Sequence, residues 1–342
     1  MNYKNLKAKI LSNAVKDKVN YLFLDEIQDV KNFERTLIQL FESKTIQFDI
    51  YITGSNSVMF SSSLATLFTG RNIEIKVYPL AFKEYYTYYK EFDSSKERQE
   101  IFEKYVLYGG LPIYLKFLEN ENKIKDSLSS VFLDSAAKDV KKRHKLKNVD
   151  EFNIIAKYIY QNIGQPASAL KIANKLRSET KNKSKITYRT VLKYIQYMEE
   201  ACLIYKCPAK RVYDKNFING SIKYYSVDTG LRNSESDFQN INRGSQLENI
   251  VYLELLRRGY KVTTGKLKDD REIDFIAQKD GKYEYYQVAQ YVQTDEQINR
   301  EYGNLNSIKD SFPKYVLSMM MDSGVDNKGV CAMNIIEWLM KD

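Results

Sequence analysis

The chain has 342 residues, enough for two or three domains. Its hydrophobic fraction of 43% supports a packed core and excludes a disordered chain, while only 14 Gly and 5 Pro exclude a collagen-like or linker-dominated one. A formal net charge of +9 favours anionic partners, nucleic acid or nucleotide before membrane.

In chain order, the first segment with strong character is Tyr21-Leu22-Phe23-Leu24, an apolar run ending in Asp25-Glu26. A continuous run suits a strand buried on both faces of a parallel sheet. Asp29 is then placed to cap a helix from about Lys31, with Phe33, Leu37, Leu40 and Phe41 at helical spacing. A second strand, Phe48 to Thr53, closes on Gly54-Ser55-Asn56-Ser57, and a third is expected at Ile73-Glu74-Ile75-Lys76-Val77. Strand, helix, strand is the grammar of a doubly wound sheet. From Phe82 to about His144 the pattern is helical, broken at Tyr108-Gly109-Gly110-Leu111-Pro112 and ending in a basic run from Lys138 to Lys147. Its cations suit a solvated helix C-terminus.

Residues 151–207 read as three helices followed by a strand, the order of a helix-turn-helix with a β-wing. In the third helix Tyr188, Val191, Leu192, Ile195 and Met198 are expected to face the core, leaving Arg189, Lys193 and Gln196 outward. Eight Lys or Arg and a single Glu lie between Lys171 and Lys193, a surface suited to salt-sensitive contacts with duplex phosphates or, equally, to ordinary solvation. Beyond it come a helix over 246–258, strands near 261–263, 272–276 and 285–289, a helix over 297–308, a strand at 315–317 and a terminal helix. Asp280-Gly281 marks a hairpin. The single His144 and the three cysteines without a CxxC pair exclude a multi-histidine zinc site, a zinc ribbon and a disulfide framework. No transmembrane run or signal peptide is evident, and a cytoplasmic protein with reduced thiols is expected.

Two constellations could carry chemistry. A hydrophobic strand that delivers Asp25 and Glu26 at its C-terminal end has the Walker B arrangement, the Asp facing Mg²⁺ and the Glu the attacking water. The same pattern also caps helices in proteins without nucleotide chemistry. Leu22 to Gln28, Ile52-Thr53-Gly54-Ser55-Asn56, Thr69-Gly70-Arg71, Tyr78-Pro79-Leu80, Tyr108 to Pro112, Gln246-Leu247-Glu248-Asn249 and Glu272-Ile273-Asp274-Phe275 stand in one order along the chain. That series resembles a family of bacterial and archaeal predicted ATPases of the AAA+ superfamily. The resemblance implies an α/β multidomain protein. Residues 1–81 would be a P-loop-type parallel sheet with Walker B and sensor strands, 82–150 a helical segment, 151–235 a winged helix, and 236–342 a restriction-endonuclease-like α/β domain. It further implies ATP and Mg²⁺ as cofactors, with Asp25 and Glu26 catalytic and Asn56 and Arg71 sensing nucleotide.

The departures are as informative. No glycine precedes Gly54 and no Gly-Lys-Ser/Thr occurs anywhere, so the Walker A loop that would cradle phosphates is missing. The chain is expected to begin inside its ATPase domain, with hydrolysis lost and the edge of the Thr53 strand open to self-association. In the last domain Glu248, Asp274 and Gln287 fall where a nuclease holds Mg²⁺, with Asp274 a weak metal ligand. Gln287 stands for an acid and Ala289 for a lysine, which points to a degenerate site. The leading expectation is an ATPase-family protein that associates with double-stranded DNA. The alternatives are a non-enzymatic interaction module, binding protein, DNA or its own copies, and a Mg²⁺-dependent nuclease.

Overall fold

The computed structural model describes residues 2–341 except 55–71, 132–139, 142–143, 147, 180–185, 240, 270, 321–323 and 326–327. The chain divides into two compact units, one of residues 1–76 with 200–202 and the other of residues 77–199 with 203–342.

In the first unit, α1 (Tyr3–Asn13) leads into β1 (Val19–Leu24), then α2 (Phe33–Phe41) and β2 (Gln47–Ile52). The two strands pair in parallel, Val19 opposite Gln47 through Leu24 opposite Ile52. Helix α2 starts after Asn32, whose side chain makes no capping bond, and not after Asp29, which lies in a short 3-10 turn. Leu6 and Ile10 of α1 and Phe33, Leu37 and Leu40 of α2 pack on Leu22, Leu24, Phe48 and Ile50. Among the described residues, α1 and α2 cover one face of the strand pair. The other presents Tyr21, Phe23 and Tyr51, with Phe23 72% exposed and its ring stacked on Tyr51 at 4.9 Å. Among the described residues the apolar run of β1 is therefore covered on one face and not on both, because α1 and α2 lie on the same side. Residues 73–77 form no strand, and Ile73 and Val77 are each 90% exposed. β propensity alone does not make a strand: without a neighbour to bond, the backbone stays unpaired.

The second unit opens with α3 (Phe82–Phe92), α4 (Arg98–Tyr108) and α5 (Glu121–Ser130). Phe82 meets Phe102 edge-on at 5.1 Å, fixing α3 against α4. Next come α6 (Val149–Gln161), the two-residue β3 (Pro166–Ala167), α7 (Ala169–Glu179), α8 (Tyr188–Glu200), β4 (Ile204–Arg211) and β5 (Phe217–Ser226). They are followed by α9 (Thr229–Ser234), α10 (Arg243–Arg257), β6 (Lys261–Lys266), β7 (Glu272–Lys279), β8 (Lys282–Val288), α11 (Asp295–Asn306), β9 (Lys314–Ser318), β10 (Gly324–Val325), β11 (Val330–Asn334) and α12 (Ile335–Met340). The strands join in one sheet of order β10-β11-β9-β8-β7-β6-β4-β5-β3. Parallel pairing of Ala209, Lys210 and Arg211 with Thr264, Gly265 and Lys266 carries this sheet across the expected boundary at 235/236. The β7–β8 hairpin turns on Asp280 (φ 50°) and Gly281 (φ 76°), both left-handed as a two-residue hairpin loop requires.

The glycines of the motif at 108–112 serve packing. Asp228 accepts hydrogen bonds from the Gly110 amide (2.6 Å) and the Leu231 amide (2.9 Å), tying the end of α4 to the start of α9. Leu80 donates its amide to the Gly110 carbonyl at 2.8 Å. A Cβ on Gly230 would lie 1.9 Å from the Tyr108 carbonyl oxygen. Burial pushes the Asp228 carboxyl up to about 6, against the pull of the amides that bond it.

Candidate functional site

The tips of β1 and β2 converge as parallel neighbours must. Thr53, just past β2, donates its hydroxyl to Asp25 Oδ1, and the Glu26 amide donates to the same hydroxyl at 3.3 Å. The Thr53 amide in turn bonds the Leu24 carbonyl at 2.9 Å. Glu26 sits at φ 47°, a left-handed turn that ends the strand. The structure thus gathers Asp25, Glu26 and Thr53 at one strand edge. Asn56 and Arg71 lie outside the described residues.

Helix α8 buries Val191, Tyr194, Ile195, Tyr197 and Met198. Tyr188 and Leu192, expected inward, are instead 47% and 42% exposed. At 100° per residue the buried arc centres near Tyr194 and Met198, which leaves Tyr188 on its margin and Leu192 on the outward side. Arg189, Lys193 and Gln196 are all exposed on the opposite side. The Lys193 ammonium lies 5.6 Å over the Tyr197 ring, against which His144 stacks at 3.5 Å.

The third cluster joins β5, α10, β7, β8 and α11. Lys223 on β5 is 7% exposed, with its Nζ 3.2 Å from Glu248 Oε1 and 3.5 Å from Glu272 Oε2. Tyr225 donates its hydroxyl to the same Glu248 oxygen at 2.5 Å. Asp274 Oδ2 accepts the Val288 amide at 2.8 Å, and the Asp274 amide donates to Gln287 Oε1 at 2.7 Å. Gln287 Nε2 donates to Glu301 Oε2 at 2.8 Å, and Glu301 Oε1 accepts from Arg300 Nε at 2.8 Å. Burial pushes the Asp274 carboxyl up, the Glu248 charge adds to the rise, and Lys223 opposes it. Burial pulls the Lys223 ammonium down, but Glu248, Asp274 and Glu272 outweigh it and hold the group above the ordinary lysine range.

Glu248, Asp274 and Gln287, singled out from sequence, do converge here. Lys223, Tyr225 and Glu301 were missed, and Glu272 was noted only as part of the Glu272-Ile273-Asp274-Phe275 motif. The available signals were a lysine flanked by Ile222 and Tyr224 in a strand, and a glutamate four residues before Leu305 on the buried side of a helix. Among the described residues no group of three or more His, Cys, Asp or Glu side chains is arranged to hold a metal ion, and no helix is long and apolar enough to cross a membrane.

Residues 1–86 match a family model described as an AAA domain, and residues 99–242 match a domain of unknown function. The N-terminal region is thus similar to AAA domains. An uncharacterized protein of Haemophilus influenzae is 35% identical over 322 residues, covering 94% of this chain and 78% of that protein. The chain belongs to the family of that H. influenzae protein. An uncharacterized protein of Methanocaldococcus jannaschii is 32% identical over 275 residues, 77% of this chain and 59% of its relative's length. The Walker-type ATPase of Pyrococcus abyssi superposes over 63% of each chain with a TM-score of 0.45 at 13% identity.

Proposed function

We propose that the protein is a cytoplasmic AAA-type ATPase-family member that associates with double-stranded DNA through a winged helix at 151–235 and does not itself hydrolyse ATP. The observation that carries the DNA reading is the outward stripe of α8. Arg189, Lys193 and Gln196 share one exposed side of a helix whose opposite side is buried by Val191, Ile195 and Met198. Around it, α6, β3, α7, α8 and the β4–β5 hairpin follow in winged-helix order, with β3 paired antiparallel to β5. A helix that displays cations one turn apart can reach phosphates and base edges in a major groove. The exposed Tyr188 and Leu192 add apolar surface beside them.

ATP and Mg²⁺ are the cofactors of the class. Asp25 and Glu26 supply carboxylates at the strand edge, but no stretch of the sequence supplies a phosphate-cradling glycine loop, so the residues present do not fit a nucleotide by themselves. Asn56 and Arg71 would face nucleotide only in a complemented site. In the C-terminal region, a restriction-endonuclease-like domain with Gln287 and Ala289 in place of acid and lysine would bind rather than cleave. A second reading, an interaction module that pairs with protein or with its own copies, is favoured by the exposed Tyr21, Phe23 and Tyr51.

Fluorescence anisotropy with a short labelled duplex at low salt tests the proposal, with binding expected. No binding at low salt would favour the interaction module. Mg²⁺-dependent cleavage that vanishes in Asp274→Ala would identify a nuclease instead.

A further inference from the structure

Mg²⁺ in a nuclease-like site needs oxygen ligands at about 2.0–2.1 Å in near-octahedral order. One oxygen of each of Glu248, Asp274 and Gln287 is already committed. Glu248 Oε1 holds both Lys223 Nζ at 3.2 Å and the Tyr225 hydroxyl at 2.5 Å, and Asp274 Oδ2 holds the Val288 amide at 2.8 Å. Gln287 Oε1 is taken by the Asp274 amide at 2.7 Å, and its Nε2 is tied to Glu301 at 2.8 Å, so the amide cannot turn toward a metal without breaking two bonds. A buried ammonium also stands among the carboxylates that a divalent cation would need. Mg²⁺ does not fit this set.

We infer that the Lys223 ammonium is the resident cation of this cluster, filling the role a divalent metal would have among Glu248, Glu272 and Asp274, so that the site is closed to metal and works as an ionic joint. The consequence is architectural. Lys223 comes from β5, Glu248 from α10, and Glu272 and Asp274 from β7, so a single buried cation fastens the hairpin that follows α8 to the C-terminal part of the sheet. Gly164 lies against the same Glu248, where an added Cβ would come within 3.3 Å of Oε2. A divalent ion at these carboxylates would have to displace the ammonium from Glu248 Oε1 and Glu272 Oε2, the oxygens it holds at 3.2 and 3.5 Å.

The inference deepens the non-cleaving part of the function proposed above and rests on it for the comparison with Mg²⁺. Its test uses no DNA, so failure of DNA binding and failure of this inference are read separately. The probe is Mn²⁺ alone, with uptake followed by the electron paramagnetic resonance of the free ion and thermal unfolding followed on the full chain. Wild type should leave millimolar Mn²⁺ free and unfold at an unchanged temperature. Lys223→Met should unfold lower by about 5 °C, because removing one partner leaves buried charge uncompensated. It should then take up one Mn²⁺ per chain and recover part of the loss, and adding Asp274→Asn should abolish both effects. Lys223→Arg, which keeps the charge, should stay blind to Mn²⁺. Asp274-dependent uptake by wild type or Lys223→Arg would overturn the inference, as would a folded Lys223→Met that binds no Mn²⁺. If Lys223→Met does not fold, the wild-type and Lys223→Arg titrations still decide.

Discussion

Replacing Gly230 by alanine reverses sign according to whether α9 packs on α4 as described. Gly230 is helical and carries no positive φ, so in isolation alanine there would stabilise by up to about 1 kcal/mol. In the fold, the new Cβ would lie 1.9 Å from the Tyr108 carbonyl oxygen and 2.3 Å from its carbon, closer than the 3.0 Å below which Cβ atoms essentially never approach. Both atoms are backbone, so α9 must withdraw by about 1 Å. That withdrawal strains three bonds that cap the end of α4: Thr229 Oγ1 to the Tyr105 carbonyl at 3.3 Å, and Asn233 Nδ2 to the Val106 and Leu107 carbonyls at 3.1 and 2.8 Å. Overpacking of about 1–3 kcal/mol, plus one or two weakened bonds of about 1 kcal/mol each, less a helix gain of about 1 kcal/mol, leaves a net loss of about 1–4 kcal/mol. Urea unfolding followed by circular dichroism reads this as a lowered midpoint at unchanged slope. Gly244→Ala is the control: its nearest neighbour would be Asn242 Oδ1 at 3.5 Å, an ordinary contact, and it should be neutral or slightly stabilising. A Gly230→Ala midpoint at or above wild type would refute the packing argument.

Asp228 gives a pH dependence with a definite sign. Its folded carboxyl titrates near about 6, above the unfolded value, so the folded state takes up a proton first as the pH falls. Its contribution to stability is full below about pH 4 and lost as the pH rises through 6, about 3 kcal/mol in all. Midpoints measured between these limits should rise on acidification, and Asp228→Asn should remove that component. Purified chain should show no ATP turnover above that of Glu26→Gln; turnover abolished by this substitution would contradict the missing phosphate loop. Replacing Tyr21 and Phe23 with serine should reduce any concentration-dependent association in sedimentation velocity, and unchanged association would move the interface elsewhere.

The legible part of the fold was the part governed by local pattern. The 3.6-residue spacing of α2, α8 and α10, the Asp280-Gly281 turn and the acidic end of β1 are all written in short stretches. Parallel pairing was not readable. Nothing in Ala209 to Arg211 announces Thr264 to Lys266 as a partner more than fifty residues on, so two expected domains read as separate although one sheet spans both. The run at 73–77 alternates correctly but pairs with no strand among the described residues, a tertiary fact invisible in its own residues. At the carboxylate cluster the acids stood out by type and spacing, whereas Lys223 and Glu301 did not. Charged residues in a strand or helix read as solvated unless the partner that makes burial tolerable is already known. On α8 the outward cations are exposed as expected, whereas Tyr188 and Leu192 were expected inward and are exposed, the buried arc being centred on Tyr194 and Met198.

The central claim is that α8 meets DNA through Arg189 and Lys193, and the salt dependence of duplex binding measures it. Each phosphate neutralised contributes about 0.9 to the slope of log K against log salt concentration. Arg189→Ala with Lys193→Ala should weaken binding and flatten that slope by about 2. Both side chains are exposed, so the thermal midpoint should hardly move. A double variant that binds with the parent's affinity and slope would place the DNA surface elsewhere and contradict the account.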